Sequence, residues 1–263
     1  MKFLLFPCLI LLSFSAYSQN NTVIPDEAKS FVLTGYEVLD YIIGDLNNDK
    51  RPDAMMVLKL IGEDTLMLDN EKDAKRPLLL LIRQANGKLK LAKRNDDVVM
   101  CRQCGGMYGD PYVGIKISPG SFILQFYGGS PSWRWGFDYS FRFNSLKKDW
   151  FIEQELESLY HMTEPDKSSD LNIGVEELGE ISFEKYKPHD DSEETTWKVK
   201  AAKTFFYNNP DLKSKPRKGY LVKGDKVISS RELKNFIRVY FSNKKERISE
   251  GFILKKDLEK KVE

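Results

Sequence analysis

Histidine and cysteine are scarce in this chain, with two His and three Cys in 263 residues. A tetrahedral zinc site needs four nitrogen or sulfur ligands. Cys8 falls within the N-terminal apolar run, which leaves Cys101, Cys104, His161 and His189. Both histidines sit in polar segments far from the cysteines, so a zinc centre is not expected. Catalytic signatures are missing too. There is no Gly-x-Ser-x-Gly elbow, no His-Glu-x-x-His and no phosphate loop. Ser130 has no evident base. Glu153, Glu155 and Glu157 alternate along one expected strand, where a solvated edge explains them better than a catalytic pair. Amphipathic helical periodicity is weak throughout. A long hydrophobic run occurs only at the N-terminus.

That run reads as a secretory signal peptide over residues 1–18. Lys2 gives a positive start, Phe3 to Leu12 is almost wholly apolar, and Ala16-Tyr17-Ser18 offers small residues before Gln19. A spanning helix needs about 20 apolar residues, more than this stretch holds. The expectation is cleavage, with no stable membrane insertion afterwards, and a mature protein that is extracytoplasmic, either periplasmic or secreted. An oxidising compartment suits a disulfide between Cys101 and Cys104. Cys-x-x-Cys can also be a redox pair or half a zinc site. A thioredoxin-type motif opens a helix, but here Gly105-Gly106 follow and no helical pattern appears. A local disulfide or two quiet thiols are the favoured readings.

What the chain has in abundance is alternation. From Trp133 to Asn144 every odd position is aromatic and every even one is polar or glycine, the period of a strand. Tyr112 to Ser118 and Ser121 to Tyr127 flank Pro119-Gly120 as a hairpin. Leu78 to Ile82 and Leu89 to Ala92 flank Asn86-Gly87. Trp150 to Leu156 and Ile181 to Tyr186 read as further strands, and Glu164 to Asn172 as a polar loop. The fold class is therefore all-β. An antiparallel β-sheet domain is expected over 19–188, a polar linker over 189–196, and a small second domain over 197–263. The last contains strand candidates Lys198 to Tyr207, Tyr220 to Ile228, Phe236 to Phe241 and Gly251 to Leu254.

Charge divides along the same line. Residues 1–196 hold 22 Lys+Arg against 31 Asp+Glu, and residues 197–263 hold 19 against 8. A basic unit attracts anionic polymers or surfaces at long range, while exposed lysines also keep a small sheet soluble.

The clearest site signal is Gly44-Asp45-Leu46-Asn47-Asn48-Asp49-Lys50-Arg51-Pro52-Asp53. Calcium takes six to eight hard oxygen ligands. Asp45, Asn47, Asp49 and Asp53 offer side-chain oxygens and Arg51 a carbonyl, between two apolar segments. It is no EF-hand, because Met56 stands where the bidentate Glu belongs. The segment resembles the calcium loop of FG-GAP and VCBS-type repeats, of form Asp-x-Asn-x-Asp-Gly-x-x-Asp, with Lys50 in place of the glycine. The resemblance covers about 25 residues and occurs once. It implies a calcium-clipped turn rather than a propeller.

The C-terminal segment has a pattern of its own. Lys200 to Tyr207, Tyr220-Leu221-Val222-Lys223-Gly224-Asp225-Lys226-Val227, Phe236 to Phe241, and Gly251-Phe252-Ile253-Leu254 before Lys255-Lys256-Asp257-Leu258 resemble bacterial SH3-like domains. That resemblance implies a small barrel that binds cell-wall peptides or docks proteins. Tyr207, Tyr220 and Tyr240 are its candidate groove aromatics.

The leading expectation is an exported, non-catalytic binding protein of a bacterial envelope. Its partner would be a cell-wall peptide or envelope protein rather than a nucleic acid. Two rivals stand beside it. One is a secreted hydrolase or thiol oxidoreductase in the Gly/aromatic segment, using Cys104, Asp110 or Ser130. The other is an inhibitor or immunity-type protein.

Overall fold

The computed structural model describes residues 24–63, 74–189, 194–243 and 248–260. The expected signal peptide and residues 190–193 of the expected linker lie outside these. The chain is all-β and built from antiparallel sheets. Among the described residues no helix exceeds four residues.

The first sheet is a four-stranded meander of β1 (Tyr36–Gly44), β2 (Asp53–Leu60), β3 (Arg76–Arg83) and β4 (Leu89–Val99). Ala54–Leu58 and Leu78–Ile82 are apolar without alternation because both faces of β2 and β3 are covered. Met55, Val57, Leu78 and Leu80 face one core. Ala54, Met56, Leu79 and Leu81 face a second, capped by Ala28 on the one-turn helix α1 (Asp26–Lys29) and by Phe31 and Leu33.

The second sheet is a five-stranded meander of β5 (Tyr112–Ser118), β6 (Ser121–Gly129), β7 (Trp133–Asn144), β8 (Asp149–His161) and β9 (Ser169–Gly174). Its inner residues Phe122, Leu124, Tyr139, Phe141, Trp150 and Ile152 complete the first core, so the two sheets form a sandwich. The strands are unequal in length. β7 and β8 have 12 and 13 residues, while β2 and β3 have 8 each. At about 3.3 Å per residue, β7 is some 13 Å longer than β2 or β3.

The C-terminal unit has the strand order β15-β14-β13-β10-β16. Its members are β10 (Thr195–Val199), β13 (Lys226–Glu232), β14 (Phe236–Ser242), β15 (Ile248–Leu254) and β16 (Leu258–Lys260). A hairpin of β11 (Lys203–Phe205) and β12 (Tyr220–Val222) interrupts β10 and β13. A 3-10 turn at Lys255–Asp257 precedes β16. Trp197, Val199, Leu221, Val227, Ile237, Val239, Ile253 and Leu258 form its separate core.

Four local expectations change. Lys198 to Tyr207 is not one strand, because the chain bends between β10 and β11 to start the hairpin. The linker is shorter than 189–196, since Thr195 already pairs with Ser229. Ile181 to Tyr186 makes only one bridge, Phe151 to Ser182, and then a 3-10 turn whose Phe183 plugs the sandwich core. The polar segment Glu164 to Asn172 contains most of β9, which is held to β8 by its backbone and buries Ile173.

The two units meet along a seam. Ile173, Leu233, Phe236 and Phe252 share a small apolar core across it. Leu171, Leu178, Tyr207 and Leu254 pack against it, and a cluster of charged side chains continues the seam.

Candidate functional site

The Asp/Asn loop joins β1 to β2. Asp45, Asp49 and Asp53 each turn a carboxylate oxygen toward one point, within 4.8 Å of one another. The turn uses left-handed backbone at Asn48 (φ 60°) and at Lys50 (φ 65°), a conformation that favours glycine. Asp45 accepts from the amides of Asp49 (3.0 Å) and Lys50 (2.8 Å). Asn47 Oδ1 accepts from the Asp49 amide at 3.0 Å. Asp53 is fully buried and takes the amides of Leu46 (3.0 Å) and Arg83 (2.8 Å), which ties the loop to β3. Burial pushes the Asp53 carboxyl above its ordinary pKa, and the charges of Asp49 and Asp45 add to this. At Asp49, burial acts in the same direction, but hydrogen bonds from the Arg51 amide, Asn47 and the Arg51 guanidinium outweigh it and hold the carboxyl low. The Arg51 carbonyl accepts from the Asp53 amide (3.0 Å), and its side chain contacts Asp49 at 2.5 Å. Three convergent carboxylates with an amide oxygen beside them fit a hard cation.

Cys101 and Cys104 form a disulfide with Cα atoms 5.2 Å apart. It spans a 3-10 turn, Arg102–Gly105, not the start of an α-helix. The glycines around it allow close backbone approach. Gly106 bridges to Gly129, and the Met107 amide donates to the Gly129 carbonyl at 3.0 Å. A Cβ on Gly128 would lie 2.3 Å from the Trp135 ring, so the ring rests on bare backbone.

The three tyrosines are placed apart. Tyr207 is half-buried against Phe236 (5.2 Å between ring centroids) in the seam core. Tyr240 is half-buried on β14, opposite Ile228 and Glu250. Tyr220 stands on the solvent face of β12, 53% exposed, with Lys203 Nζ 3.7 Å from its ring centroid and Phe205 at 6.2 Å. Among the described residues no ring contact joins any two of the three. Lys218, Val222 and Lys223, close to it in the chain, are also exposed.

Two charged clusters escaped the reading of the sequence. The first lies in the sandwich. Arg76, fully buried, makes paired hydrogen bonds of 2.7–2.8 Å to Glu63 and to Asp110. Nearby, Tyr112 donates to Asp40 at 2.8 Å. Burial and the Asp40 charge push its hydroxyl far above the ordinary tyrosine range. The second cluster is the seam. Arg231 reaches Glu155 and, at 2.8 Å, Glu157. Arg238 joins Glu157 (3.0 Å) to Glu250 (2.8 Å). Tyr186 donates to Glu155 at 2.9 Å. The solvated-edge reading of the glutamates is therefore corrected. A β-bulge in β8 opposite Ser140/Phe141 turns Glu155 inward, and only 2% of it is exposed, while Glu153 points out to Arg142.

Beside the seam, a cleft of about 1050 Å³ opens between the units, with Trp135 and Phe137 on one wall and the disulfide loop on another. No family model, no curated protein and no solved structure matches the chain.

Proposed function

We propose that the protein is an exported, non-catalytic binding protein, and that its C-terminal unit is an SH3-like module contacting the cell wall. The strand order β15-β14-β13-β10-β16, the hairpin between β10 and β13 and the 3-10 turn before β16 support the SH3-like reading. The observation that carries the binding role is the solvent face of the β11–β12 hairpin. Lys203 stacks on exposed Tyr220, and exposed Lys218 and Lys223 lie close by in the chain with exposed Val222. An exposed aromatic with positive charge beside it suits a polymer with anionic and apolar parts. Calcium held by Asp45, Asn47, Asp49 and Asp53 would stiffen the sandwich that carries the module.

Of the groups named for a catalytic role, Asp110 is paired with buried Arg76, and the Cys101–Cys104 disulfide spans a 3-10 turn, not the start of an α-helix that lowers a thiol pKa. Neither arrangement supports the enzymatic reading.

The test is co-sedimentation of the full mature chain with purified cell-wall sacculi across a salt series. A Lys203→Glu/Tyr220→Ala variant runs beside it. Removing the whole C-terminal unit is avoided, because it would strip the cover from Glu155 and Ile173. Salt-sensitive pull-down that the variant loses supports the reading. Absence of pull-down at every salt concentration sinks it.

A further inference from the structure

We infer that the cleft between the sandwich and the C-terminal unit is a binding site for an uncharged, ring-bearing apolar molecule. The site is independent of the wall-binding face on β11–β12. It lies where β7 leaves the sealed core. Tyr139 and Phe141 on β7 are buried in the sandwich, whereas Trp135 and Phe137 pack at its edge and remain half-buried. The C-terminal unit covers part of the same sheet through Leu233 and Phe236 against Ile173, but it does not reach these two rings. The space left is about 1050 Å³, at the upper end for small-molecule sites, which favour domain junctions.

Its lining defines the occupant. Trp135 and Phe137 present rings 5.0 Å apart and tilted by 33°. Val99, Met100, Leu178 and Ile181 add aliphatic wall. Charged side chains also line the cleft, and among the described residues each has a partner within the protein. Arg231 is held by Glu155 and Glu157, Asp97 by Lys75 and Lys187, Asp96 by Arg94, and Glu232 by Lys255. Against the buried wall an anionic ligand would have to compete with Glu155 and Glu157 for Arg231 and leave a carboxylate stranded, which is costly; the rim pairs are exposed and worth little. A neutral ligand needs only the open aromatic wall.

Two near-identical probes separate the cases. N-phenyl-1-naphthylamine is neutral, and 8-anilinonaphthalene-1-sulfonate carries the same rings with one negative charge. The full mature chain is titrated with each while probe fluorescence and quenching of tryptophan are followed. The expected result is saturable one-to-one binding of the neutral probe, with the sulfonate weaker by about tenfold or more, the ratio of a 1.4 kcal/mol difference. Trp135→Ala weakens the neutral probe by a similar factor, since it removes one stacking ring. Ile181→Trp fills the cleft and abolishes binding with the melting temperature retained. This second variant keeps the test decisive if Trp135→Ala folds poorly. Absence of saturable binding to the native chain, equal affinity for both probes, or binding that survives Ile181→Trp would each overturn the assignment.

Discussion

The C-terminal unit presents two basic faces that differ in residue type as well as in burial. Toward the sandwich it offers Arg231 and Arg238, whose side chains are 6% and 21% exposed. Toward solvent it offers lysines, among them Lys203, Lys213, Lys218 and Lys223. Arginine suits a dry seam because its planar fork can satisfy two carboxylates and always carries its charge. Lysine suits a wet face, where a flexible, strongly hydrated ammonium costs little to hold. The charge asymmetry along the chain therefore serves two purposes. Part of the positive charge is spent inside the molecule, against Glu155 and Glu157 of the acidic sandwich, and only the remainder is available to a partner.

Single substitutions on the two faces break this comparison most directly. Arg231→Met leaves Glu155 buried without its cation and is expected to cost about 3–5 kcal/mol in urea unfolding. Lys203→Glu on the other face stays within about 0.5 kcal/mol. Replacing Glu155 and Arg231 together by Leu and Met recovers most of the loss, because the penalty belongs to the stranded charge. A cost for Arg231→Met close to that of Lys203→Glu would mean the seam is hydrated and the two faces are alike.

Calcium binding, as proposed for the Asp/Asn loop, would give the next largest effect, in the acidic unit where carboxylates face one another instead of arginines. With free calcium at about 100 times its dissociation constant, linkage predicts roughly 2.7 kcal/mol of stabilisation. Melts in calcium and in chelator should differ for the native chain and coincide for Asp49→Ala. Coincident melts for the native chain would leave the loop as a turn held by its own hydrogen bonds.

Gly128→Ala probes the cleft wall and should cost about 1–3 kcal/mol by overpacking. The new methyl would strike the Trp135 ring, so a blue or red shift in tryptophan emission should accompany the lower urea midpoint. An unchanged spectrum and midpoint would show that the ring has room to move.

What could be read from the sequence was whatever is local. Twelve residues of unbroken alternation marked β7, and the apolar runs marked β2 and β3. The convergence of carboxylates in the Asp/Asn loop could be read because Asp45, Asp49 and Asp53 lie within nine residues. β9 could not, since six residues with only Leu171 and Ile173 apolar look like a loop until β8 supplies their partners. The glutamates were misread because one bulge residue in β8 reverses which of them face inward, and the twelve-residue pattern of β7 carries no trace of a bulge in its neighbour. The seam and the cleft were out of reach, because Arg231 meets Glu157 and Glu155 across 74 and 76 residues. The nearest available clue was the opposite charge of the two halves.

The smallest expected effect comes from an ion pair of the same kind as the seam but left wet, at the rim of the cleft. Asp97 meets Lys75 at 2.5 Å and Lys187 at 3.1 Å, with the lysine side chains 58% and 72% exposed. The Lys75 hydrogen bond is the main reason its carboxyl titrates below the ordinary range; partial burial opposes this and Lys187 adds to it. A carboxyl depressed in the folded state stabilises above its unfolded pKa, about 3.9. That contribution fades as pH falls through the lower folded value. Solvent screening limits it to about 0.3 kcal/mol. Native chain and Lys75→Ala should therefore differ by about that amount near pH 6 and converge near pH 3, and the gap near pH 6 should narrow further in high salt. An equal gap at both pH values would assign Lys75 a packing role along its aliphatic stem. A gap of several kcal/mol at pH 6 would place this rim pair in the same dry class as Arg231 and Glu155.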